Sequence, residues 1–239
     1  LAVMSNTPEL LSILFSYGAR LSMTTSAEDP ISISIKQRNV DSLKILLKHA
    51  EGSFKYLGKM TPIMLAIINN KPEAVPILID ANVDLSVINH EYQTALSLAC
   101  FQGQREVVRL ICDKLDDIDL PPNLKQQAAV HWLCQSKDPE IAKIMLAKNI
   151  DVNRVDKDGF TGPRCLLDIV EPDVHIKILE LLIDHGFDID FVSSPSMNTI
   201  LGEYITGIQK PYEVIDWLLT RGANIDAPLN STNKGQTIA

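Results

Sequence analysis

The stretch Met60-Thr61-Pro62-Ile63-Met64-Leu65-Ala66 returns thirty-three residues later as Gln93-Thr94-Ala95-Leu96-Ser97-Leu98-Ala99. It returns again, thirty-four further on, as Gln127-Ala128-Ala129-Val130-His131-Trp132-Leu133. Thirty-two residues upstream stands Asp29-Pro30-Ile31-Ser32-Ile33-Ser34. A fixed period of this size is the mark of a stacked-repeat architecture, in which each unit buries its apolar face only against its neighbours. A second column keeps the same phase: Leu14-Phe15, Leu46-Leu47, Leu78-Ile79, Ile111-Cys112, Met145-Leu146, Leu182-Ile183 and Leu218-Leu219. Each pair has an apolar residue three positions before it, such as Leu43, Val75, Val108 or Ile215, which is the i, i+3, i+4 spacing of one helix face.

The helix boundaries repeat as well. Three residues after each pair comes a stop position: Gly18, Ala50, Asn82, Leu115, Asn149, Gly186 and Gly222. Glycine and asparagine suit a left-handed cap there; Ala50 and Leu115 suit it less. An acid marks the first turn of these helices at Asp41, Glu73, Glu106, Glu140 and Glu213, where it complements the helix dipole. Pro72 and Pro139 stand at the first helical position, and Asp138 is placed to cap.

Each unit therefore reads as a short helix, a turn, a longer helix and a polar connection. This pattern resembles the ankyrin repeat family, in Thr61-Pro62-Ile63, His131, Gly103, Tyr17-Gly18-Ala19, Asp151-Val152-Asn153 and Arg221-Gly222-Ala223-Asn224-Ile225-Asp226. Asp156-Lys157-Asp158-Gly159-Phe160-Thr161 and Lys234-Gly235-Gln236-Thr237 look like repeat openings. The resemblance implies an all-α solenoid of stacked helix-turn-helix units with short hairpin or loop connections. It spans 1–239 as one array, with repeats near 1–25, 26–57, 58–90, 91–124, 125–157, 158–194 and 195–233 and an eighth starting at 234–239. Neither end carries a polar cap, from which a segment of a larger ankyrin protein is expected.

Three places depart from the pattern. The stop-to-stop spacing widens to 37 and then 36 residues after Asn149. The sixth repeat has Gly162-Pro163-Arg164 after Thr161 and about four extra residues at 171–176, which one more helical turn would absorb. The seventh is longer at 206–212, in its first helix or its turn, and Pro121-Pro122 makes 116–123 an irregular connection.

Net charge is -8, and the acidic balance lies beyond the first sixty residues, which hold 7 basic and 5 acidic side chains. Such a surface repels phosphate and disfavours nucleic acid and anionic membranes. The densest acidic patch, Asp113, Asp116, Asp117 and Asp119, reads as a solvated loop or as a dock for a basic partner. No apolar run is long enough to span a bilayer, and no signal peptide opens the sequence. Cys100, Cys112, Cys134 and Cys165 form no CxxC pair, which suits a reducing, cytoplasmic setting.

Phosphate-loop, nucleophile-elbow and zinc-protease motifs are missing from the sequence. His131 and Cys134 lie one helical turn apart, but a zinc site needs three or four ligands and no others converge. Cys165, Asp168 and His175 could be drawn as a catalytic group, yet nothing orients a base toward a nucleophile. Cys100 and Cys134 hold equivalent positions in adjacent repeats, where helices about 8–10 Å apart preclude a disulfide. No catalytic residue, cofactor or metal is expected.

The resemblance implies instead a hydrogen bond from His131 to the neighbouring turn, and a partner docked on the concave side lined by first helices and fingers. The outward first-helix column reads Lys36, Ile68, Phe101 and Gln135; the column three earlier reads Ile33, Leu65, Leu98 and Trp132. Ile68, Phe101 and Trp132 are candidate anchors, with Asn89, His90, Tyr92 and Phe160 on the fingers and Phe54 and Tyr56 before the third repeat. Ordinary packing within the array is the alternative for each. The expected function is a monomeric, non-catalytic scaffold or adaptor that binds another protein. The alternative is the substrate-targeting arm of a larger enzyme, channel or ubiquitin-ligase adaptor.

Overall fold

Helix caps set by the repeated openings organise the molecule. The computed structural model describes residues 2–5, 7–21, 29–50, 60–119, 127–167, 171–193, 198–207 and 210–227. The chain forms two compact units, Leu1–Lys114 and Leu115–Ala239. The first contains α1 (Pro8–Ser16), α2 (Pro30–Lys36), α3 (Val40–His49), α4 (Pro62–Ile68), α5 (Val75–Asp80, entered through a 3-10 turn at Pro72–Ala74), α6 (Ala95–Phe101) and α7 (Arg105–Lys114). The second contains α8 (Ala129–Ser136), α9 (Pro139–Leu146), a 3-10 turn at Gly162–Leu166, α10 (Pro172–Asp184), α11 (Ile200–Thr206) and α12 (Tyr212–Thr220). Among the described residues there is no strand; the fingers are pinned by the isolated bridges Val155–Thr161 and Ser193–Asn198.

In the first unit the short helices α2, α4 and α6 pack in one row and the longer α1, α3, α5 and α7 in a second. In the second unit α8, the 3-10 turn and α11 form one row, and α9, α10 and α12 the other. The openings start the short helices through their side chains. Asp29 accepts from the Ser32 amide at 2.9 Å, Thr61 from Met64 at 3.3 Å, Thr94 from Ser97 at 3.1 Å and Thr199 from Gly202 at 3.2 Å. Asp138 caps α9 by accepting from Glu140 at 2.9 Å, as its place before Pro139 predicts.

At the helix ends, Gly18, Asn82, Gly186 and Gly222 take the left-handed conformation. Asn149 does not, because α9 closes earlier, with the Lys148 amide donating to Met145 at 3.0 Å. The short helices have a left-handed column of their own that repeats less visibly in residue type: Arg38, Asn70, Gly103 and Lys137, with φ of 58, 51, 66 and 56°. Only one of these is glycine, so the others carry a steric cost. Lys137→Gly is accordingly expected to stabilise the second unit by about 0.5–1 kcal/mol, read as a higher urea midpoint.

The irregular repeats resolve in two ways. The extra residues of the sixth lengthen α10 to 13 residues, against 10 in α3 and α7, so one more turn absorbs them. The seventh keeps an ordinary short helix of 7 residues, and its added length lies in the connection before α12. In place of a short α-helix, the sixth opens with the 3-10 turn, pressed against α8. A Cβ on Gly162 would stand 2.7 Å from the Val130 carbonyl oxygen, which is why this position takes glycine.

The acidic connections are built, not merely solvated. Asp84, Asp117, Asp151, Asp188 and Asn224 each accept, through the side chain, the amide two residues on, at 2.8–3.0 Å. In the second unit the turns also join the repeats. The Asp151 amide donates to Asp119, that of Asp188 to Asn153 and that of Asn224 to Asp190, at 3.3, 2.9 and 2.8 Å. Asp117 and Asp119 thus serve the connection, while Asp113 and Asp116 face solvent.

Candidate functional site

In the first unit, Ile68 and Phe101 are the last residues of α4 and α6, which pack side by side. Both point outward; Phe101 is 71% exposed and Ile68 38%. An exposed benzyl side chain at the end of a capped helix has little freedom to lose on binding, which suits it as an anchor. Leu98, one turn before Phe101, is buried, so the apolar periodicity splits into a core column and a surface column.

The neighbouring finger is organised by Asn89. Its Oδ1 accepts the amides of Glu91 and Gln93, both at 2.9 Å, and its Nδ2 reaches Gln93 Oε1 at 3.1 Å and Met60 Sδ at 3.6 Å. Asn89 is buried in this role and offers no surface to a partner, a correction to its reading as a contact residue. His90 and Tyr92 do stand exposed at the fingertip, with Tyr92 held at φ 61°. Met60, half-exposed beside the finger, is an apolar surface residue that the column reading passed over because it lies before the helix. Phe54 and Tyr56 lie outside the described residues.

The second unit places its candidates differently. Trp132 is 2% exposed, inside the core with Val130, Leu133 and Cys134. It is therefore not a surface anchor: the packing around α8 closes over the position that leaves its counterpart Leu65 partly open. Phe160 is half-buried at the finger. Its carbonyl accepts from His131 Nε2 at 3.0 Å, and its ring lies 3.9 Å below the Arg164 guanidinium. Arg164 in turn pairs with Glu203 of α11, whose carboxylate is almost fully buried.

His131 makes the expected bond to the neighbouring turn and caps its own helix as well. The Ala128 amide donates to Nδ1 at 3.2 Å while Nε2 donates to Phe160, an arrangement that suits the neutral ring. Burial pushes its pKa below the ordinary value, and the Phe160 carbonyl draws it partly back. Between that lowered pKa and about 6.5, the unfolded chain binds more protons than the folded one. This contribution is therefore intact above about pH 6.5 and is lost as pH falls toward the folded pKa. The urea midpoint of the second unit is expected to drop between about pH 7.5 and 5.5, and to drop less in His131→Gln.

His175 is buried with Nδ1 3.1 Å from the Tyr204 hydroxyl, Cys165 lies 3.8 Å from Gln135 Nε2, and Asp168 is outside the described residues. None of the four cysteines is in a disulfide. Burial raises the pKa of Cys100 and Cys134, which keeps them as thiols rather than nucleophilic thiolates. Among the described residues no group of three or more His, Cys, Asp or Glu could hold a metal, and no helix is long and apolar enough to cross a membrane.

Comparison with known proteins agrees with the helical rows. A model of ankyrin repeats, three copies long, matches residues 1–89 and 63–156. A B-cell lymphoma 3 protein homolog of Mus musculus is 23% identical over 184 residues, 72% of this chain and 40% of that protein. An ankyrin repeat protein of Rickettsia felis is 28% identical over 173 residues, 66% of this chain and 38% of that protein. Among solved structures, the ankyrin repeat domain of Bcl-3, described as a unique member of the IkappaB family, superposes with a TM-score of 0.72. That match has 21% identity and covers 89% of this chain and 93% of that domain. The chain spans about two fifths of the length of these curated relatives.

Proposed function

Because this chain belongs to the ankyrin repeat family, we propose that it is a non-catalytic scaffold that holds a partner protein on the exposed side of its first-unit helices, with Phe101 as the anchor. Ankyrin repeat domains are protein-interaction modules, and the relatives are of that kind. The observation that carries the reading is the 71% exposure of Phe101 beside Ile68 on the adjacent helix. Burying one such side chain contributes about 1.5–3 kcal/mol, enough to dominate a modest interface. Tyr92 and His90 supply the finger side of the surface.

The partner is another protein, bound by a monomeric chain in the cytosol. The acidic surface argues against nucleic acid, and the absence of disulfides suits a reducing compartment. A second reading is the targeting arm of a larger enzyme, channel or ubiquitin-ligase adaptor. It uses the same surface.

Affinity capture from cytosolic extract tests this, with the wild-type chain beside Phe101→Glu and Ile68→Glu, each checked for folding by circular dichroism. Proteins held by the wild type are expected to fall at least about tenfold on Phe101→Glu, the equivalent of about 1.4 kcal/mol. Equal retention by the folded variants would place the partner on another surface.

A further inference from the structure

Glycine at 162 lets the 3-10 turn settle backbone to backbone on α8, where a Cβ would stand 2.7 Å from the Val130 carbonyl oxygen. Packed helices ordinarily lie about 8–10 Å apart because side chains fill the space between them; at this point none does. The two segments run in the same direction. Gly162 meets Val130 near their starts, and Gln135 Nε2 donates to Cys165 Sγ at 3.8 Å near their ends. From Val130 to Cys134 is one turn of α-helix, a rise of about 6 Å. From Gly162 to Cys165 is one turn of 3-10 helix, again a rise of about 6 Å. Cys134 and Cys165 therefore stand level with each other, one turn beyond the close approach. Side chains three apart eclipse in a 3-10 helix, so Cys165 shares the face of Gly162 that is turned to α8. Burial raises the pKa of Cys134, and the charge of Cys165 close by adds to the effect.

We propose that Cys134 and Cys165 form a modification site, a facing dithiol that hydrogen peroxide closes into an intrachain disulfide between α8 and the 3-10 turn. Cys165 is half-buried and meets the oxidant first. Its thiolate attacks one peroxide oxygen, the O–O bond breaks, and the departing hydroxide takes up a proton as water, leaving a sulfenic acid. Cys134 Sγ then attacks that sulfur; the S–S bond forms, the S–O bond breaks, and the hydroxide leaves with the Cys134 proton as a second water. Two thiols lose two electrons and two protons, and one peroxide becomes two waters. Cys134 is fully buried, so it cannot start the sequence, but it lies where the sulfenic acid must be resolved. Cys100 and Cys112 also feel each other's charge, yet they are 0 and 1% exposed and closed to the oxidant. The bond ties the fifth repeat to the irregular sixth and shortens the free loop of the unfolded chain.

Treating the folded 239-residue chain with a modest excess of hydrogen peroxide tests this. Two of the four thiols should become closed to alkylation after unfolding, and trypsin should release peptides 126–137 and 165–177 as one disulfide-linked species. The oxidised chain is expected to melt at least about 4 °C higher, with dithiothreitol reversing the shift. Cys165→Ser and Cys134→Ala should each abolish the link and the shift, while Cys100→Ala with Cys112→Ala keeps both. The peptide mapping on the unsubstituted chain decides the matter even where a variant fails to fold. Four thiols still free after peroxide would overturn the proposal. So would a link through Cys100 or Cys112, a link between two chains, or oxidation of Cys165 to its sulfinic acid with Cys134 left as a thiol.

Discussion

Trp132→Ala is expected to cost the second unit about 3–5 kcal/mol, the largest loss among the substitutions considered. The indole is 2% exposed, in a layer with Val130, Leu133 and Cys134, and its removal leaves a cavity that neighbouring helices cannot fill without moving. Both tryptophans of the chain lie in this unit, so the Trp217 fluorescence that remains in the variant reports its unfolding directly. A urea midpoint shift small enough to mean under about 1 kcal/mol would show that the indole is not packed as described.

Arg164→Leu is expected to cost about 2–4 kcal/mol in the same unit. The loss comes less from the pair itself than from the carboxylate left behind. Glu203 is nearly buried, and its second oxygen, Oε1, has no hydrogen-bond partner among the described residues. Arg164 is partly open to solvent, which moderates the figure, and it also loses its contact with the Phe160 ring. Adding Glu203→Leu should restore more than half of the loss, because the uncompensated charge is then gone. A double variant as unstable as the single one would mean that Arg164 acts mainly by packing on Phe160.

The rows of helices were legible in the residues because their determinants are local and repeat in type. Thr61, Thr94 and Asp138 cap the helices they precede, and the column is core from Leu46 through Leu78 and Ile111 to Leu218. His131 too could be placed from its position in the opening. What escaped depends on neighbours that the period does not encode. The Arg164–Glu203 pair joins residues 39 apart, off the repeat spacing. The left-handed column at Arg38, Asn70 and Lys137 lacks the glycine that would announce it. Of the surface candidates, Ile68, Phe101, His90 and Tyr92 are exposed. Asn89 and Trp132 are buried because a loop folds around the first and a core closes over the second. In a stacked array, burial at one column is set by the segment laid against it, so equivalent positions need not share it.

Surface and core part company within these columns, and the surface residue is the one proposed to bind. Partner retention and melting measured together on Phe101→Glu and Trp132→Ala test it most directly. Phe101→Glu is expected to melt as the wild type does and to lose the partner, while Trp132→Ala melts at a lower temperature. A Phe101→Glu chain that unfolds, or that folds and keeps its partner, would contradict it.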